Sequence, residues 1–285
     1  LIWDILEDTE GNMWFATENG VTISRNDKVE YINTSNGLHH NSVLGLCQSA
    51  NYIWISTRGG CSIYSLTQKK LVNLGNVSEQ LKIPTSKVDY DGRFVWIASN
   101  NGLYCFDEQT EILKNYGTNE HLASLNVRVV NCDSRGYVWI GALGADLTMF
   151  NGNEFKTYGE SYGLKRKFIL CIEEDLSGNI WIGAYGSGVY RLSFDKDSVK
   201  IKNYSIKEGL SGATPFLLLC DNTNNIWVGT SLGIDRIDQN TNIIKHYGKN
   251  EGFQGIETVQ GAVCRDKKGN LWFGTIMGAV KYDSE

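Results

Sequence analysis

The chain has 285 residues, 41% hydrophobic and 21% charged, with 31 Gly, 8 Trp, 14 Tyr and only 2 Pro. Apolar content at the globular average excludes a disordered chain, and apolar runs as short as Phe216 to Cys220 cannot span a bilayer as helices. A formal charge of −5 excludes a nucleic-acid binder that works through overall basic charge.

In chain order, the first alternating run is Ile2–Glu7, followed by Asp8-Thr-Glu-Gly11-Asn12, Met13-Trp14-Phe-Ala-Thr17 and Gly20-Val-Thr-Ile-Ser24. Period-2 alternation bounded by Gly, Asp and Asn reads as strand and turn. The same order recurs around Trp14, Trp54, Trp96, Trp139, Trp181, Trp227 and Trp272, at gaps of 40, 42, 43, 42, 46 and 45 residues. Each copy divides into four strands. Strand a precedes the Asp, as at Val43–Gln48, Val127–Cys132, Ile169–Glu174, Phe216–Cys220 and Val259–Cys264. Strand b carries the Trp, and strand c follows a glycine, as at Gly102-Leu-Tyr-Cys-Phe106 and Gly233-Ile-Asp-Arg-Ile237. Strand d ends near an aromatic, as at Tyr116-Gly117, Tyr158-Gly159 and Tyr247-Gly248, with Tyr31 and Tyr204 at related places. No stretch holds a 3.6-residue period over three turns, so helical repeats fall away.

Four strands repeated radially every ~43 residues is the β-propeller solution. The spacing therefore predicts an all-β fold, a seven-bladed β-propeller of four-stranded antiparallel blades, as a single domain over residues 1–285. Copy seven stops after its strand c, so the last blade is expected to be incomplete and the chain to be a fragment of something longer.

Most repeat residues have structural jobs. Asp-x-x-Gly is a hairpin turn in which the Asp side chain caps and the Gly takes positive φ. Each such loop offers too few carboxylates for calcium. One Trp per blade at the same strand position predicts packing between blades, and Trp3, outside that register, is expected to be buried. Copy two, with Gln48-Ser-Ala-Asn-Tyr52, and copy three, one residue short at Asp91-Gly92-Arg93, depart from the turn pattern. Seven cysteines without clustered spacing read as small buried hydrophobes rather than a disulfide framework. Cys47, Cys132 and Cys220 each lie seven residues before a repeat Trp, which suggests equivalent places. His39-His40 lacks a carboxylate or Cys at ligand spacing, and no phosphate-binding loop or catalytic motif is present. No metal, cofactor or catalytic residue is expected.

The unit Asp-x-x-Gly-Asn-apolar-Trp-apolar-Gly-Thr, clearest at Asp175–Gly183, Asp221–Thr230 and Asp266–Thr275, resembles the two-component regulator propeller repeat. Gly-Leu elements at Gly37-Leu38, Gly163-Leu164 and Gly209-Leu210 strengthen the resemblance, which covers essentially the whole chain. It implies the periplasmic sensor region of a membrane-bound hybrid two-component histidine kinase of gut Bacteroidetes. There, two propellers are commonly followed by a β-sandwich, a membrane helix and cytoplasmic signalling domains. It also implies signal transduction by carbohydrate sensing, with polysaccharide-utilisation genes as the output. The implied partners are an oligosaccharide or other small ligand, a second propeller, further receptor domains and a second copy in a homodimer. The propeller itself would be non-enzymatic and would not touch the membrane.

Specificity is expected where loops ring the channel mouth, at the short b–c turns and the longer d–a loops. Arg58, Arg128, Lys165, Arg166 and Lys167 place positive charge there, which suits a carboxylate or sulfate on a sugar. Tyr185 and His40 could stack on or hydrogen-bond to a sugar ring. The candidate ligand-binding residues are thus Arg58, His40, Tyr185, Arg128, Arg166 and Lys167. The alternatives are a scaffold for protein or domain docking and a propeller-type lyase, for which His246 would be the base.

Overall fold

The computed structural model describes residues 1–285 except 27, 165–167, 196–197, 254, 256 and 284–285. Seven antiparallel sheets form the blades, six of four strands and the last of three. Blade 1 comprises Ile2–Glu7, Met13–Thr17, Gly20–Arg25 and Lys28–Ile32, and blade 7 comprises Thr258–Arg265, Leu271–Thr275 and Gly278–Tyr282. Strands a of blades 2, 4 and 5 run over Val43–Gln48, Val127–Cys132 and Ile169–Glu174, as the alternation predicts. Strand a of blade 3, Thr85–Tyr90, alternates only over Lys87-Val88-Asp89-Tyr90, because Thr85 and Ser86 are both polar. No helix among the described residues is long and apolar enough to cross a membrane.

The a–b turn does more than reverse the chain. In blade 5, Asp175 Oδ1 accepts from the backbone N of Ser177 (2.9 Å) and Asn179 (3.0 Å), while Oδ2 accepts from Trp181 Nε1 at 2.7 Å. Gly178 closes the turn at φ +76°, a region that a side chain would disfavour. The same carboxylate–indole bond joins Asp8 to Trp14, Asp91 to Trp96, Asp133 to Trp139, Asp221 to Trp227 and Asp266 to Trp272 at 2.7–2.9 Å. The shortened third copy keeps it. In the divergent second copy, Ser49 Oγ replaces the carboxylate and accepts from Trp54 Nε1 at 3.0 Å. Glu108 of blade 3 supplies the missing charge, accepting from Ala50 N at 3.2 Å and bonding Ser49 Oγ.

The anchored indoles pack against the next blade, as expected. Trp14, Trp54, Trp96, Trp139 and Trp227 meet the strand-c aromatic of the following blade, Tyr64, Phe106, Phe150, Phe194 and Tyr282, at centroid distances of 4.9–5.7 Å. Polar joints run beside them. The backbone N after the turn Asp donates to the next blade: Thr9 to Gln48 Oε1, Ser134 to Glu174 Oε2 and Leu176 to Asn224 Oδ1, at 2.7–2.8 Å. Lys267 N donates to Glu7 Oε2 at 2.6 Å, and Lys267 Nζ reaches Asp8 O and Thr9 O, each at 2.8 Å. That set of bonds closes the ring between blades 7 and 1.

The d–a loops are more regular than their sequences suggest. Five contain a 3₁₀ turn, at Thr34–Asn36, Thr118–Glu120, Glu160–Tyr162, Ile206–Glu208 and Lys249–Glu251. Each is followed by a left-handed cap and then a buried anchor: Leu38, Leu122, Leu164, Leu210 or Phe253. The Gly-Leu element is thus a cap and a plug. The loop from blade 2 to blade 3 carries a short helix instead, Asn76–Gln80, which the sequence reading does not foresee.

All seven cysteines are free, five buried and Cys132 and Cys264 half-buried. Burial pushes the Cys61 and Cys105 thiols up to about 12, so they are inert. The shared seven-residue spacing does not make the strand-a cysteines equivalent: Cys47 lies opposite Trp54, whereas Cys132 and Cys220 lie opposite Val138 and Ile226. The shorter turn of blade 2 shifts its register by one. Trp3 is also corrected, being half-buried with Nε1 donating to Glu18 Oε1 at 2.7 Å.

The Asp175→Ala variant leaves the indole N–H and two backbone N–H groups without their acceptor. Loss of about 3 kcal/mol is expected, read from the urea midpoint at unchanged m-value. A loss below about 0.5 kcal/mol would remove the clasp from the account of stability.

Candidate functional site

The b–c turns lie against the d–a loops on one face. Arg58 N donates to Ser42 O, Asn100 N to Pro84 O, Leu143 N to Asn126 O and Tyr185 N to Phe168 O, at 2.9–3.3 Å. This face opens into a cavity of about 600 Å³. Its wall is built from the first residues of strand a in several blades, with Arg58 and Asn100 from b–c turns above. It lies off-centre, toward blades 2, 3 and 4. A volume of this size suits a small ligand.

Beneath the cavity, side chains cross the channel. Lys87, on strand a of blade 3, places Nζ 2.9 Å from Asp4 Oδ2 of blade 1 and 3.2 Å from Gly261 O of blade 7. A Cβ at Gly261 would sit 2.6 Å from Lys87 Cε, so this crossing requires glycine there. Gln260 Nε2 of blade 7 donates to Leu170 O of blade 5 at 2.9 Å. Asp4 is buried, and burial raises its carboxyl above the usual range against the opposing pull of Lys87. Asp4 also accepts from Leu46 N at 2.9 Å. Two more strand-a carboxylates bind the next blade's backbone, Asp89 to Cys132 N at 2.7 Å and Glu173 to Cys220 N at 2.9 Å. Burial pushes Asp89 up to about 6 and Glu173 up to about 7.

Arg58 and Arg128 both line the cavity and both are exposed. Arg58 Nε is steadied by donating to Ser42 Oγ at 3.0 Å, while the Arg128 side chain has no hydrogen-bond or ion-pair partner among the described residues. Asn126 Oδ1 is buried beside them without a donor. His40 and Tyr185 lie outside the lining: His40 Nδ1 accepts from Ser42 N at 2.9 Å, and Tyr185 is 60% exposed. Arg166 and Lys167, with Lys165, fall outside the described residues. Sequence reasoning missed Lys87, Gln260, Asn126 and the role of Trp3, which also lines the cavity. The one signal was for Lys87, a charge at a strand-a place where blades 2, 4, 5, 6 and 7 carry uncharged residues.

The rest of the face is different in character. Consecutive b–c turns of blades 4 to 7 expose Leu143, Tyr185, Leu232, Ile276 and Met277, the last 81% exposed. The predicted acid–base candidate, His246, pairs through Nδ1 with buried Asp235 Oδ1 at 2.8 Å and does not line the cavity.

The family described as two component regulator propeller matches residues 1–19 and 255–277, the a–b halves of blades 1 and 7. No curated protein sequence matches the chain. Among solved structures, the chain is similar to the extracellular domain assigned to a hybrid two component system of B. thetaiotaomicron, with TM-score 0.88 at 22% identity, covering 100% of this chain and 39% of that one. A second extracellular domain from the same organism, assigned to a one component system, gives TM-score 0.82 at 17% identity over 100% of this chain and 38% of that one. Catalytically inactive virginiamycin B lyase from Staphylococcus aureus, with quinupristin, gives TM-score 0.74 at 14% identity over 98% and 93%. At these identities the structural likeness shows the fold alone. The chain spans about two fifths of the length of the first two.

Two expectations follow from the channel. The Lys87→Met variant strands Asp4 without its cation and is expected to lose about 3–5 kcal/mol in chemical denaturation, with part regained on adding Asp4→Asn. Equal losses in the single and double variants would contradict the pairing. The second concerns pH. Carboxyls raised in the folded state cost stability once ionised, fully above about pH 7 and not at all below their unfolded values near 4. The melting temperature should therefore rise as pH falls from 8 to 5, and Glu173→Gln should flatten that rise. Below pH 4 the trend reverses. Burial pushes Asp8, Asp221 and Asp266 upward, but bonds from Trp and backbone N–H hold them below the usual value.

Proposed function

We propose that this chain, which belongs to the two component regulator propeller family, is the ligand-sensing part of a membrane-bound hybrid two-component histidine kinase. In this reading it is a non-enzymatic piece of a longer receptor, lies in the periplasm and recognises an oligosaccharide that bears a carboxylate or sulfate. Its output is the control of polysaccharide-utilisation genes, through further domains of a receptor that works as a dimer.

The observation that carries this reading is the cavity with Arg58 and Arg128 at its mouth. Two exposed guanidiniums can each grip an anionic group in bidentate fashion. Lys87 and Gln260 line the same cavity and are held by bonds to other blades, which offers a ligand a fixed polar surface. Among the described residues the lining holds neither a histidine nor a carboxylate, which favours recognition over acid–base chemistry. The apolar turns of blades 4 to 7 favour a second, compatible role, in which the same face docks a protein surface.

A thermal-shift and calorimetric screen tests the reading, with sulfated and uronic-acid oligosaccharides against their neutral counterparts. An anionic sugar at 100 times its Kd adds about 2.7 kcal/mol of stability. Arg58→Ala and Arg128→Ala should each weaken it about tenfold or more, the size of one lost charge-assisted contact. Equal response to neutral sugars, or full affinity in both variants, would overturn the anionic reading.

A further inference from the structure

The strands a share one place, two residues before the residue that pairs with the repeat Trp. Blades 2, 4, 5, 6 and 7 hold Gly45, Val129, Cys171, Leu217 and Ala262 there, all uncharged. Blades 1 and 3 hold Asp4 and Lys87, an acid and a base with one blade between them. Glycine makes the path that joins them. A Cβ at Gly45 of the intervening blade would lie 2.9 Å from Ser86 O and 3.4 Å from Lys87 Cδ, and one at Gly261 only 2.6 Å from Lys87 Cε. Gly45 has no positive φ, so the close approach of blade 3, not the backbone conformation, calls for glycine there.

An ammonium has three N–H donors. Lys87 places one on Asp4 Oδ2 and one on Gly261 O, and the third has no partner among the described residues. Its side chain is 19% exposed and lines the cavity together with Arg58 and Arg128. Asp4 is fixed beside it, with Oδ1 accepting from Ile5 N at 3.0 Å and Oδ2 from Leu46 N at 2.9 Å. It cannot swing away from an arriving anion. Two negative groups would then share one cation, and like charges that close disfavour joint ionisation. A sulfate or sugar carboxylate is the stronger acid, and burial already raises the Asp4 carboxyl above its usual range.

We propose that the anionic group of a ligand in the cavity takes the third N–H of Lys87, and that Asp4 binds a proton as it does so. Recognition is thereby coupled to proton uptake, with Lys87 as a ligand contact and Asp4 as the residue that sets the pH dependence. This rests on the reading of the cavity as an anion-recognising site. Affinity rises as pH falls between the Asp4 values of the free and the bound protein, and is flat outside that window. The groups around the pair do not supply the effect. Burial holds the thiols of Cys47, Cys171 and Cys264 neutral, and Arg58, Arg128 and Arg265 carry fixed charge. Asp89 and Glu173 titrate nearby, but they bond the backbones of blades 4 and 6 and are unchanged by substitution of Asp4.

Inorganic sulfate, a dianion throughout the range from about pH 5 to 8, serves as the probe, against chloride at matched ionic strength. Calorimetry in buffers of different ionisation heat should show uptake of up to one proton per sulfate bound. Asp4→Asn keeps an acceptor for Leu46 N, and it should abolish that uptake. It should also bind sulfate about tenfold more tightly than the unaltered chain near pH 8, because the competing charge is gone, with the two converging near pH 5. Adding Lys87→Met to Asp4→Asn leaves no buried charge stranded and should weaken sulfate about tenfold or more while the melting temperature shows the ring intact. No stabilisation by sulfate beyond chloride, proton uptake that survives Asp4→Asn, or unchanged affinity in the double variant overturns the coupling. An oligosaccharide that depends on Arg58 and Arg128 without proton uptake would leave the cavity reading standing and remove this one. Proton-coupled sulfate binding with no response to any oligosaccharide would do the reverse.

Discussion

Everything in this molecule hangs on a hydrogen bond from an indole N–H to a turn aspartate. Burying a tryptophan is favourable, but its N–H needs a partner once water is excluded. A turn carboxylate that already collects two backbone N–H groups provides one at 2.7–2.9 Å in six blades. The bond fixes the orientation of the ring, and the ring's far side then becomes the surface against which the next blade packs. Local turn geometry and blade-to-blade registry are thus one constraint. Blade 2 shows how far it bends, with Ser49 as acceptor and Glu108 of the neighbouring blade as the charge.

Because the clasp sits on the a–b end of each blade, the opposite end is released from the work of holding the ring. The b–c turns and d–a loops can therefore differ from blade to blade, and they do. Blades 2 to 4 present Arg58, Asn100 and Arg128 around a cavity, while blades 4 to 7 present aliphatic side chains and Tyr185. The anchored 3₁₀ turns keep this variation from becoming disorder, since a buried Leu or Phe pins each loop just beyond its turn. Lys87 and Gln260 connect the cavity floor to blades on the far side of the channel, so a ligand resting on them touches the ring and not one blade.

The ring was readable from residues because its constraint is local and repeated. Seven tryptophans at similar gaps, four of them after Asp-x-x-Gly, state the blade count and the turn together. The Asp-to-Trp bond was not foreseen, since spacing along a chain does not say which side-chain atoms turn toward each other. Arg58 and Arg128 were named for their charge, and both line the cavity, Arg58 from a b–c turn and Arg128 from the start of strand a. Lys87 and Gln260 were missed because their roles depend on partners 174 and 90 residues away, across the channel. Tyr185 belongs to the right face but to its apolar side. The regularity of the d–a loops was hidden because the anchor, not the turn sequence, is what recurs, and His121 can take the left-handed cap that glycine takes elsewhere.

Hydrogen–deuterium exchange with and without a bound anionic oligosaccharide tests most directly whether the clasped ring carries recognition at its opposite end. The account predicts new protection at residues 84–87 and 126–128 and at the turns holding Arg58 and Asn100, with the Asp–Trp turns already protected and unchanged. Protection appearing first at the a–b turns, or on the apolar turns of blades 4 to 7 alone, would contradict it.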